Sequence, residues 1–287
     1  MTSATAVAAV KRLTRAKKVG HAGTLDPLAD GVLPIALGEA TKTTPYMMNA
    51  VKGYEFTICF GQQRTTDDAE GEVIAQSLVR PTHQQIEDII PSFSGNISQI
   101  PPIFSAIKVH GMRAYDLARK GEIPELNARS VTIHSLTLLS RANGEEACFS
   151  VSCSKGTYVR SLARDMAIAL GTVGYVSQLR RTRVGNFHLN SAISLDFIEE
   201  LVHSPRPAGE DSLAEIVMPL STALDDIPAI FVDRAQADAI RHGRMIPVHT
   251  MPEAGDIAVF LGDELVAIGI GSGTMFKPKR VFPVLGY

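Results

Sequence analysis

Apolar and polar positions along this chain fall into two periods, and the switches between them mark its elements. Near the N-terminus Ala6, Val7, Val10 and Leu13 recur at helical spacing, with Lys11, Arg12, Arg15, Lys17 and Lys18 on or just beyond the other face and Thr2 or Ser3 placed to cap. Over residues 53–61 the period drops to two. Tyr54, Phe56, Ile58 and Phe60 share one face and Glu55, Thr57 and Cys59 the other, which predicts a half-buried strand. A short capped helix is predicted over 82–90, and strands over 131–139 and 147–153. A further helix begins near Tyr158, with Val159, Leu162, Ala163, Met166 and Leu170 as its apolar face and Gly171 as its stop. Arg160 and Arg164, four apart, are expected together on the opposite, exposed face of that helix.

Between these elements lie stretches without period. Residues 20–34 are rich in Gly, Asp and Pro and read as loop and turn. Residues 100–129 read as an irregular, Pro-flanked segment holding Lys108, Arg113, Arg119, Lys120 and Arg129. Residues 204–212 suit a linker. After Ile227 the texture changes: a helix over 233–242, then strands over 257–261 and 265–270 joined as a hairpin. Gly269, Gly271 and Gly273 read as a loop leaving a strand, because no dinucleotide-binding helix follows them. The expected division is a domain over 1–225 and a small β-rich module over 226–287.

Composition narrows the class. The 287 residues, 45% apolar and 20% charged, suffice for a buried core and for one large domain or two at about 150 residues each. The net charge of -2 excludes a uniformly basic coat protein but leaves room for local basic faces. Cys59, Cys148 and Cys153 are too few, and wrongly spaced, for a disulfide framework or a thiolate zinc site, which fits a reducing compartment. No apolar run approaches the roughly 18 residues of a membrane span. The small-apolar-then-basic N-terminus reverses the order of a secretory signal and leaves a transit peptide as the harder case to exclude. The expectation is a cytoplasmic protein with no membrane partner.

No phosphate loop, His-Glu-x-x-His, Gly-x-Ser-x-Gly or metal-ligand spacing is present. Taken singly, Asp26-Pro27 is a turn initiator, His21 a surface or core histidine, Tyr54 a core aromatic and Arg160 a helix charge. Taken together they form a pattern. The run GHAGTLDPLADGVLP over 20–34 resembles the catalytic motif of the TruB-type tRNA pseudouridine-55 synthases. The resemblance continues through Gly38-Glu39-Ala40-Thr41-Lys42, Lys52-Gly53-Tyr54, Ile100-Pro101-Pro102 with Ser105-Ala106-Ile107-Lys108, Cys153-Ser154-Lys155-Gly156-Thr157-Tyr158-Val159-Arg160, and Leu179-Arg180-Arg181. Lys277-Pro278-Lys279-Arg280-Val281-Phe282 is similar to part of the family's small PUA-type RNA-binding module. The family's N-terminal strand with its Lys-Pro-x-Gly motif has no counterpart before Met1, and with it a sheet strand and a lysine near the site are expected to be missing.

The resemblance implies an α+β fold with a mixed, largely antiparallel sheet and flanking helices, a cleft across that sheet, and isomerisation of uridine in the T-arm of tRNA by a monomer without cofactor or metal. It implies Asp26 as the catalytic carboxylate, paired with Arg160, which keeps it ionised and oriented. Tyr54 is implied to stack on the uracil and accept the C5 proton. Tyr158 and Leu179 complete the pocket, and His21 fills the stack the flipped base vacates. Lys108, Arg180 and Arg181, with the basic residues of 11–18 and 100–129, are implied to hold the RNA backbone. Two other classes fit the same residues: a non-catalytic tRNA-binding or RNA-folding protein, and a carboxylate hydrolase using Asp26 with Asp30. A guide-RNA-dependent relative fits less well, because the chain lacks long basic tails and carries the segment 100–129.

Overall fold

The computed structural model describes residues 1–142, 144–204, 213, 215–248 and 255–284. The period-two stretch becomes the strand Lys52–Phe60, near the middle of a seven-stranded sheet. From edge to edge the order is Phe187–His188, Gly174–Val184, Lys52–Phe60, Glu146–Cys153, Arg129–Ala142 and Gly95–Gln99, every neighbour antiparallel. The seventh strand, Asp30–Gly31, lies parallel beside Gly174–Val184. The architecture is the mixed, largely antiparallel α+β arrangement that the resemblance implied. Phe56, Ile58 and Phe60 are buried on one face, with Phe149 stacked on Phe56 at a centroid distance of 5.3 Å. The helix Val159–Ala169 covers that face through Leu162, Ala163 and Met166, and the helix His83–Ile89 adds Ile86. Each large side chain so buried contributes about 1.5–3 kcal/mol, which makes this seam the rigid core of the sheet.

Three details differ from the sequence reading. Arg160 and Arg164 do share one helix face, but Arg160 is buried there: loops from distant parts of the chain close over it and supply acceptors, the condition on which a guanidinium tolerates burial. Residues 100–129 are not irregular throughout. They hold a small hairpin, Lys108–Val109 with Met112–Arg113, and the helix Ala114–Arg119, and Arg129 already opens the strand Arg129–Ala142. Gly269 and Gly271 lie inside the strand Glu264–Ser272. At Gly269 the neighbouring strand comes so close that a Cβ would sit 2.1 Å from the Lys277 carbonyl oxygen.

Two further units complete the molecule. The N-terminal helix Ser3–Thr14, capped by Thr2, packs Val10 and Leu13 against Ile198 of the helix Leu195–His203. Five strands form a second sheet in the order Ala229–Phe231, Asp256–Leu261, Glu264–Ser272, Met275–Val281, Ile246–Pro247, with the helix Arg234–Arg241 against it. Its core is its own, built from Ile240, Ile257, Val259, Val266 and Phe276. Apart from Ser204, the linker expected over 204–212 lies outside the described residues.

Candidate active site

Residues 22–34 are an excursion whose two ends are pinned together. Strands Val19–His21 and Ile35–Leu37 pair antiparallel with His21 opposite Ile35, and the Ala22 N–H donates to the Pro34 carbonyl at 3.0 Å. Arg181, 1% exposed, splints the loop from within. It donates from Nε to the Val32 carbonyl at 2.7 Å, from Nη2 to Gly23 at 3.0 Å and from Nη1 to Thr24 at 3.3 Å. The Val32 N–H returns a bond to the Arg181 carbonyl at 2.8 Å. At the outer edge Arg180 grips Asp30 bidentately at 2.8 and 2.7 Å, and that hydrogen bond holds the Asp30 carboxyl below its ordinary value. From the N-terminal helix, the buried Ser3 Oγ accepts from the Leu25 N–H at 2.9 Å, one residue before Asp26.

Asp26 therefore arrives on a fixed backbone and meets a fixed partner. Its Oδ2 accepts from Arg160 Nε at 2.8 Å; the carboxylate side chain is 33% exposed and the guanidinium side chain 5%. The rest of the Arg160 fork donates to the Thr66 carbonyl at 3.0 Å and the Phe104 carbonyl at 3.1 Å. Its Nη1 also lies 3.5 Å from Oδ2 of the buried Asp68. One helical turn on, Arg164 pairs with Asp67 and with Asp165, each at 2.9 Å. Burial pushes the Asp67 carboxyl up, and Arg164 opposes it. The arrangement is a carboxylate anchored through one oxygen, with a third of its surface open.

Two tyrosines stand around it. Tyr54 comes from the strand Lys52–Phe60, in register with Arg181. Burial pushes its hydroxyl up, the Arg181 guanidinium works against that, and the Asp26 charge adds to it. Tyr158 directly precedes the helix Val159–Ala169; burial likewise raises its hydroxyl, which has Ser105 beside it and feels Asp26. Leu179 lies opposite Phe56 and belongs to the main core, so it is floor as much as wall. His21 is half-buried, and its Nδ1 is buried without a hydrogen-bond partner. Behind the site the buried Lys52 donates to the carbonyls of Met47, Met48 and Ala50. Burial first, and Arg181 second, push its ammonium down to about 8.

Lys11, Arg12, Arg15, Lys17 and Lys18 are exposed, as are Lys108, Arg113, Arg119, Lys120 and Arg129. Arg180 is exposed but already held by Asp30. Arg181, expected against RNA, is not available to it. Strand alternation puts Arg181 on the inner side with Leu179, where it supports the loop. Sequence reasoning also missed Ser3, Asp67 and Asp68; the one signal was an acidic doublet a few residues beyond the strand that carries Tyr54. Among the described residues, no cluster of His, Cys, Asp or Glu could hold a metal ion, and no helix is long and apolar enough to cross a membrane.

The site thus sets one partly open carboxylate, held by a buried arginine, near two tyrosines and beside a mixed sheet. Residues 11–159 match the model of the TruB family pseudouridylate synthase N-terminal domain, and residues 160–225 that of the tRNA pseudouridylate synthase B C-terminal domain. The tRNA pseudouridine synthase B of Bradyrhizobium diazoefficiens is 51% identical over 100% of this chain and 84% of its own length. That of Caulobacter vibrioides is 48% identical over 98% and 92%. Among solved structures, a chain of a Cbf5-Nop10-Gar1 complex superposes with a TM-score of 0.75 at 26% identity, covering 99% of this chain and 82% of that one. The chain belongs to the TruB family of pseudouridylate synthases.

Proposed function

We propose that this chain converts uridine to pseudouridine at position 55 in the T-arm of tRNA, with Asp26 as the essential carboxylate. Its relatives of 51% and 48% identity are tRNA pseudouridine synthases. The observation that carries the assignment is the Asp26–Arg160 pair: a partly open carboxylate fixed at 2.8 Å by a buried guanidinium. The reaction breaks the bond from N1 to C1′ and forms one from C5 to C1′; a proton leaves C5 and one returns to N1, so nothing is oxidised and no group is lost. Asp26 acts at the ribose–base junction, as nucleophile or as base. Tyr54 stacks on the uracil. Because burial keeps its phenol protonated, it serves as a relay, taking the C5 proton as its own passes to solvent.

The target base must leave the stack first, at a cost of a few kcal/mol. His21, with its unpartnered Nδ1, is the residue to occupy the gap. The exposed cations of the N-terminal helix and of residues 108–129 hold the RNA backbone, and the second sheet serves as a PUA-like RNA-binding module beside a catalytic domain over 1–225. The enzyme acts as a monomer in the cytoplasm. The test is tritium release from C5-labelled, unmodified tRNA. The chain should release tritium and Asp26→Asn should not, while tRNA affinity stays near normal, because Asp68 remains as a charge partner for Arg160. Substantial turnover by Asp26→Asn overturns the assignment, and free base or sugar in place of an isomer points to a hydrolase.

A further inference from the structure

Gln99 ends the strand Gly95–Gln99 and is 2% exposed. Its carboxamide grips one residue from both sides: Oε1 accepts from the Tyr158 N–H at 2.8 Å, and Nε2 donates to the Tyr158 carbonyl at 3.0 Å. Tyr158 is the residue from which the helix Val159–Ala169 starts, and its own side chain makes no capping bond. Its carbonyl also accepts the helical bond from the Leu162 N–H at 3.0 Å. The Gln99 amide thus acts like one more peptide unit of a strand, laid against the last extended residue before the helix.

The neighbouring bonds tie side chains of the helix to the segment after Gln99. Ser161 Oγ donates to the Ile100 carbonyl at 2.8 Å, Arg164 Nη2 to the same carbonyl at 2.9 Å, and Arg160 Nη2 to Phe104 at 3.1 Å. Gln99 differs in fixing the backbone itself, one residue wide, at Tyr158. Two residues further on stands Arg160, which holds Asp26. We propose that Gln99 is a positioning residue for the isomerisation: by clamping the Tyr158 main chain it sets where the Tyr158 ring and the Arg160 fork stand relative to Asp26. This rests on the assignment of Asp26 and Tyr158 to the reacting pocket.

Only an amide supplies a neutral donor and acceptor in one plane at that reach. Glutamate, when ionised, keeps the acceptor and loses the donor, and methionine of similar length has neither. Removing the clamp leaves the Tyr158 N–H without its partner and its carbonyl with the Leu162 bond alone, and frees the ring to shift. A displacement of about 1 Å can slow catalysis about 100-fold, whereas tRNA is held by exposed cations that Gln99 does not touch.

The experiment compares wild type, Gln99→Glu and Gln99→Met for single-turnover tritium release at saturating tRNA, with tRNA Kd and thermal melting measured on the same preparations. Gln99→Met should be about 10- to 100-fold slower, with Kd within about threefold of wild type because the phosphate contacts are unchanged. Gln99→Glu should fall between. Wild-type rates in Gln99→Met, or a loss that appears in Kd instead of rate, overturn the proposal. If Gln99→Met does not fold, Gln99→Glu decides by the same split between rate and affinity. An active wild type with unaffected variants refutes the clamp alone; an inactive wild type that binds tRNA refutes the assignment on which it rests as well.

Discussion

Arg160 meets two carboxylates and two carbonyls with one guanidinium, and most of the site's legibility turns on it. Helical spacing told which residues share its face, but not what covers that face. The covering acceptors come from residues 56 and 94 positions away, and no period reports those. Asp26, Tyr54 and Arg160 could be picked out because each sits in a run that resembles a motif of the family. Asp68 and Ser3 could not, since a buried carboxylate and a serine at a helix start look ordinary until their partners arrive. Tyr54 offers the sharpest test at this scale, because its phenol is buried and held protonated. Tyr54→Phe keeps the stacking ring and removes only the hydroxyl, so single-turnover release should slow by about 100- to 10,000-fold, the range of a lost proton-transfer group. Its tRNA Kd and melting temperature should stay at wild-type values. An unchanged rate would take the relay away from Tyr54 and leave it as a stacking platform.

Elements set by periodicity were readable; elements set by a neighbour were not. The strand Lys52–Phe60 and the helix Val159–Ala169 carry their own patterns, so both were expected within a residue or two of where they lie. The two-residue strand Asp30–Gly31 has no pattern at all and exists because the Arg180–Arg181 backbone runs beside it. That pairing explains a glycine. Gly31 has φ 102°, and a Cβ there would fall 2.2 Å from the Arg181 carbonyl oxygen. An alanine thus meets both a left-handed backbone penalty and a clash with main chain that cannot rotate away. Gly31→Ala should lower stability by about 3 kcal/mol, the combined scale of strain and overpacking, seen as a lower urea midpoint. Because the displaced segment is the one that Arg181 splints, product formation should fall further than the folded fraction does. Wild-type stability with wild-type rate in this variant would mean that the loop has room the structure does not show.

At the scale of the whole molecule the second sheet is docked against the root of the loop that bears Asp26. Lys42 Nζ donates to the Val281 carbonyl at 2.8 Å, and Arg280 Nη1 donates back to the Lys42 carbonyl at 3.0 Å. The Tyr46 hydroxyl donates to Asp256 at 3.0 Å, and its ring packs on the cluster of Leu224, Phe260 and Phe282. A β-rich tail was legible in the alternation after residue 256; its docking was not, because these bonds join positions more than two hundred residues apart. Lys42 ends the 3-10 turn Gly38–Lys42, which follows the strand Ile35–Leu37 that closes the excursion bearing Asp26. The Lys42 and Arg280 bonds join the same two short segments, so they should behave as one unit. Lys42→Ala and Arg280→Ala should each cost about 1 kcal/mol, and the double variant should lose less than the sum by about 0.5 kcal/mol or more. Costs that add to within that margin in urea unfolding would show two independent bonds. Acid gives a second handle on the same junction. Lys279 chiefly, and Tyr46 with it, hold the Asp256 carboxyl below its ordinary 3.8. Its contribution is therefore complete above that value and is lost as pH falls through the lowered one. Tyr46→Phe, which removes one of those hydrogen bonds, should narrow this acid-dependent loss relative to wild type and leave the two proteins parallel from about pH 5 to about pH 8, where Asp256 is ionised and Tyr46 protonated in both folded and unfolded chains.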